Sequence, residues 1–153
     1  MDVRDALLQR LRQRMMRTRE AFDRFDDTAA ERERVGPRWN VRDLAGHLLF
    51  WADEAARQIP RLAADGELPR YDLDRLNEDT HRKYRRMSFV MLRPQLREAE
   101  ERFLRAVAAV SPPGLSPDTP LREVIDAVGL THYDHHWPGL RAAVGRLGGA
   151  SRL

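Results

Sequence analysis

The chain contains no cysteine. Disulfides, thiolate metal sites and a cysteine nucleophile are therefore excluded, and any metal must be held by nitrogen and oxygen. Lysine is almost missing too, Lys83 being the only one among 27 basic residues. The positive charge is nearly all arginine, and it alternates with acids in segments such as Glu31-Arg32-Glu33-Arg34, the pattern of a solvated helix face. A net charge of +3 without a basic block argues against a nucleic-acid partner. No apolar run approaches the ~20 residues that span a bilayer. The start, Met1-Asp2-Val3-Arg4-Asp5, lacks the apolar stretch and cleavage site of a secretory signal. A cytoplasmic protein without a membrane partner is expected. Also missing are an alternating strand pattern, a glycine-rich phosphate loop and an internal repeat.

What is present is helical periodicity. Leu7, Leu8, Leu11, Met15, Thr18, Phe22 and Phe25 recur at three- and four-residue spacing and predict one long amphipathic helix over about 3–26. Asn40 stands where an N-cap belongs, with Asp43 three positions later, so a second helix is expected over about 40–60, ending at Pro60. Residues 63–71 read as a loop. Helical spacing resumes at about Leu73, with a restart at Ser88 and a kink or late start at Pro94, and ends near Val110. Ser111-Pro112-Pro113-Gly114 opens a linker. Thr119-Pro120 then starts a last helix over about 120–146, irregular at Gly129 and Pro138. The expected organisation is one all-α domain over 1–147, an antiparallel four-helix bundle, with a frayed tail at 148–153.

Three of the five histidines fall in Thr131-His132-Tyr133-Asp134-His135-His136-Trp137. His132 and His136 are four apart, so on a helix both imidazoles can reach one ion. Ile125, Val128, Leu140 and Ala143 share that face, so the pair is expected to look into the bundle. His47, beside the inward stripe Leu44, Leu48 and Trp51, supplies a third imidazole from another helix. Three neutral imidazoles leave coordination positions open, the form of a catalytic site, and the ligand type suits zinc or nickel, with iron and copper behind them. The bland alternatives are a hydrogen-bonded core histidine at 47 and a chance helical pair at 132 and 136. His81 and His135 read as surface residues, and the tryptophans and Phe50 as core.

The stretch "RWNVRDLAGHLLFWADEAARQI" resembles the entry to the second helix of the DinB-like superfamily, and "THYDHHWPGLRAAVG" is similar to its closing motif. His132, Tyr133 and His136, with Leu76-Asn77 and "TPLREVI", resemble the ClbS/DfsB branch. The resemblance implies up-down-down-up bundle order, a pocket at one end and a metal triad of His47, His132 and His136. It also implies a choice of activities: thiol-dependent transfer or isomerisation using mycothiol or bacillithiol, hydrolysis, or, in the ClbS branch, hydrolysis of an electrophilic warhead. Pro138 removes the helix hydrogen bond to the Asp134 carbonyl, and in the ClbS branch metal dependence is not assured.

Three functional readings stay open on the sequence. One is a metal-dependent enzyme acting on a small electrophile, with Asp43 and Asp134 orienting a ligand imidazole or accepting its proton and Tyr133 beside them. In it Trp51 and Tyr84 line the pocket for substrate or a low-molecular-weight thiol. The others are a sequestering protein that gives self-resistance without turnover, and a metal-free hydrolase using general-base catalysis. A homodimer is compatible with the sequence, although no exposed apolar stripe compels it.

Overall fold

The computed structural model describes residues 1–150, with side chains to 148. Among the described residues the structure is all-helical, with no strand beyond one isolated bridge. The order is α1 (Val3–Phe22), α2 (Asp27–Arg32), α3 (Val41–Asp65), α4 (Leu73–Tyr84), α5 (Phe89–Ala108), a short 3-10 turn, α6 (Pro120–Asp126), a π-helical turn (Ala127–Thr131) and α7 (His132–Ala150). Helix α3 packs along α5, and α1 packs against both α7 and α5. Phe22, Phe89, Phe103, Leu11, Leu44 and Leu92 meet in the core, Phe22 and Phe89 edge to face at 5.5 Å. No described helix is long and apolar enough to cross a membrane.

The local starts follow from side-chain chemistry. Asp2, Asp26, Asp72, Ser88 and Thr119 each accept a hydrogen bond from a backbone N–H in the first turn they precede. At α3 the capping box is complete: Asn40 accepts from the Asp43 N–H at 2.8 Å, and Asp43 accepts from the Asn40 N–H at 3.1 Å. Thr119-Pro120 opens α6 as expected.

The structure departs from the expected elements at four places. The first helix stops at Phe22, and α2 follows as a separate turn started by the Asp26 cap. Helix α3 runs through Pro60 to Gly66, whose φ of 73° provides a left-handed stop that glycine adopts without strain. Ile59 and Leu62, either side of Pro60, are buried at 1% and 3% exposure. Burying two such side chains is worth about 1.5–3 kcal/mol each, which outweighs the ~3 kcal/mol cost of an interior proline. Pro94 likewise lies within an unbroken α5.

The fourth departure sets the orientation of the site. The irregularity expected at Gly129 is a π turn, which winds one extra residue into the helix. A Cβ on Gly129 would sit 2.9 Å from the Phe103 ring and closer still to Leu11, so the widened turn lets α1 and α5 close against bare backbone. Beyond it, Tyr133 and Leu140 continue the buried line begun by Leu121 and Ile125. His132 and His136 are turned to the edge of the core rather than into it. Helix α7 is described to Ala150, so Gly148, Gly149 and Ala150 of the tail expected to fray over 148–153 are helical, and the rest of that tail lies outside the described residues.

Candidate metal centre

His47 projects from the second turn of α3, which the capping box fixes, while His132 and His136 are the first residue and the next turn of α7. The structure brings all three together. The Nε2 atoms of His47 and His132 are 2.7 Å apart, and one ring nitrogen from each of the three lies within 4.8 Å of the others. The imidazoles meet edge to face, with centroids 4.6 to 5.1 Å apart.

Burial keeps these rings neutral. It pushes His47 down to about 2, helped by the neighbouring imidazoles His132, His136 and His135. His132 falls to about 3 and His136 to about 4 for the same reasons, burial first. Neutral imidazoles in one cluster offer lone pairs and no charge, the donor set that suits zinc, nickel, copper or iron. Nitrogens bound tetrahedrally at 2.0–2.1 Å stand about 3.3 Å apart. The His47–His132 contact has to widen by about 0.6 Å and donor nitrogens as far as 4.8 Å apart have to close in, adjustments on the scale of ring rotation, so the donor set fits a divalent ion.

The histidine cluster opens on a cleft of about 700 Å³ between the 35–39 loop, α4 and α7, where Trp39, Arg38, Asn77, His81, His135 and His136 form much of the wall. Two backbone bonds shape the loop, Val35 N–H to the Trp39 carbonyl and Val41 N–H to the Glu33 carbonyl, both 3.0 Å. They place the Trp39 ring 4.2 Å from His47 and 5.9 Å from His136. Trp39, read from the sequence as core, is the wall of the histidine cluster. Its position directly before the Asn40 cap was the available signal.

The other expected site residues are dispersed. Asp134 faces away and pairs with Arg14 at 3.2 Å and Arg17 at 3.0 Å, tying α7 to α1; burial opposes its ionisation, but the two guanidinium groups hold it below the usual carboxylate range. It touches no imidazole, and the role of orienting one is corrected. Tyr133 lies in the core, where its hydroxyl donates to Glu100 Oε2 at 2.6 Å. Burial and then the Glu100 charge raise it well above the ordinary value, and Glu100 is itself pushed up to about 7 by burial. Tyr133 does not line the cleft, because the π turn rotates it inward.

Trp51 is one step removed, its Nε1 donating to Asn77 at 3.1 Å and so holding α4 against α3. Tyr84 packs over Gly46, where a Cβ would meet its own Cβ at 2.7 Å. It borders a small cavity of about 10 Å³ shared with Trp39, Asp43, His47 and His81. Asp43 caps α3 and makes no hydrogen bond to His47, whose Nδ1 has no protein partner. Instead Asp43 Oδ1 lies 3.2 Å from Nε2 of His81. His81 was expected on the open surface, yet it stands at the cleft with about a third of its side chain exposed.

No curated protein and no solved structure matches the chain. A family model does: that of the DinB superfamily, over residues 10–138. That span includes α3 with His47 and the start of α7 with His132 and His136, and on this match the chain belongs to the DinB superfamily.

Proposed function

We propose that this protein is a divalent-metal enzyme that attacks a small electrophilic molecule in the Trp39 cleft, by hydrolysis or by transfer of a low-molecular-weight thiol. The observation that carries the reading is the convergence of three neutral imidazoles, within 4.8 Å by their donor nitrogens, at the wall of a cleft large enough for a small molecule. His47, His132 and His136 would hold the ion, zinc or nickel by ligand type. When bound, such an ion lowers the pKa of a water or thiol beside it toward neutrality. The Trp39 ring shields His47 from solvent, and Asn77, fixed by Trp51, offers a polar group to the substrate. The pairing of α3 with α5 and α1 with α7 supports an antiparallel four-helix bundle in up-down-down-up order as the scaffold.

One observation favours a second reading. A 2.7 Å Nε2 to Nε2 contact is also a hydrogen bond between two neutral imidazoles, as a metal-free ClbS-like hydrolase or sequestering protein would use. Elemental analysis of protein purified without an affinity tag separates them. About one equivalent of zinc or nickel in the parent and none in His132→Ala/His136→Ala supports the metal enzyme. An empty parent, even after incubation with zinc, nickel, iron or copper, overturns it in favour of the metal-free reading.

A further inference from the structure

We propose that His81, held by Asp43, is the general acid/base of the cleft. The inference deepens the reading of the cleft as a hydrolytic site and adds a residue outside the imidazole triad. Asp43 is pinned from one side, its Oδ2 accepting the Asn40 N–H in the capping box. That leaves Oδ1 buried, without a hydrogen bond, 3.2 Å from His81 Nε2. The side chain of Asp43 is only 7% exposed against 32% for His81, so the carboxylate backs the imidazole and the imidazole meets the cleft. His81 lines both the large cleft beside His136 and Trp39 and the small cavity beside His47. The pair stands at hydrogen-bond distance without yet being aligned, and catalytic hydrogen bonds commonly tighten only with substrate present.

The arrangement is that of a carboxylate fixing an imidazole's tautomer so that its other nitrogen carries a lone pair. With Nε2–H on Asp43, Nδ1 of His81 is the base. In the proposed step Nδ1 takes a proton from water as the water oxygen forms a bond to the electrophilic carbon. The bond from that carbon to its leaving group then breaks, the electron pair goes to the leaving group, and the leaving group takes the proton from His81. No oxidant or reductant is needed.

Two measurements test this. Carbethoxylation by diethyl pyrocarbonate, followed residue by residue by mass spectrometry, compares the parent with Asp43→Asn, whose amide oxygen keeps the helix cap. His81 is expected to react several-fold faster in the parent, with His135 as the internal control at equal rates. Equal rates at His81 overturn the dyad. In zinc-loaded protein, hydrolysis of 4-nitrophenyl acetate by His81→Ala is expected to lose on the order of 100-fold in kcat, with KM and zinc content unchanged and activity restored by added imidazole. Undiminished kcat overturns the role. If the zinc-loaded parent shows no turnover, the reading of the triad as a catalytic centre fails, and the carbethoxylation rates decide the His81–Asp43 pairing on their own.

Discussion

The Tyr133 hydroxyl donates to Glu100 over 2.6 Å inside the core, while the preceding residue, His132, reaches His47. One peptide bond thus joins a closed buried pair to the histidine cluster. Both Tyr133 and Glu100 are only 3% exposed, so Glu100 ionises at a cost.

That cost predicts a stability change with pH. The folded Glu100 is raised to about 7 from an ordinary 4.5, so its favourable contribution is complete below about pH 4.5 and is lost as pH rises through 7. The difference corresponds to about 3 kcal/mol. Glu100→Gln, which still accepts from Tyr133, is expected to be more stable than the parent at pH 8 and to differ little at pH 4.5. Urea unfolding at the two pH values checks this, and a parent as stable as the variant at pH 8 would count against it.

The imidazoles predict the opposite slope in chelated protein. Their folded values of about 2, 3 and 4 lie below the ordinary 6.5, so the unfolded chain takes up protons first, and stability is lost as pH falls below about 6.5. With three imidazoles against the single Glu100, stability should rise from acid pH and level off above about pH 7. His132→Gln should make the acid limb shallower. Thermal unfolding in chelator between pH 4 and 8 measures both the plateau and the limb.

Metal binding predicts a gain in stability confined to the triad. Zinc at a hundred times its dissociation constant stabilises the folded state by about 2.7 kcal/mol, or about 5–10 °C in Tm for a chain of this length. The parent should show this shift and His47→Ala, His132→Ala and His136→Ala should not. An equal shift in the three variants would place the ion elsewhere.

Gly139 predicts a packing effect on the site. A Cβ there would run into the backbone carbonyl oxygen of Val35, in the loop that carries Trp39. Gly139→Ala is expected to cost about 1–3 kcal/mol and to shift the tryptophan fluorescence as Trp39 moves from His47. Gly145→Ala, whose Cβ meets open space, is the control and should stabilise α7 by up to about 1 kcal/mol.

Features whose cause is local were legible in the sequence. The Asn40–Asp43 capping box and the Thr119-Pro120 start depend on residues three apart, and both formed as read. The three imidazoles were legible because helical spacing and one inward stripe suffice to place them near one face. Pro60 misled because the burial of Ile59 and Leu62, a tertiary effect, decides whether the helix goes on. His81 was missed because nothing within α4 reveals which of its faces meets Asp43. Trp39 and Tyr133 exchanged their expected places, one becoming the site wall and the other core. The loop bridge and the π turn that cause this leave only Gly129 as a mark in the sequence.

The π turn also makes the site sensitive to length as well as to composition. Straightening that turn at constant length would turn everything after it by about 100°, one residue's rotation on a helix of 3.6 residues per turn. Every imidazole, the tyrosine and the aspartate would still be present, in the same order, yet each would face the neighbour that now belongs to another. Deleting one residue between Ala127 and Thr131 together with the turn would return them to their present faces, because the surplus residue is what the turn absorbs.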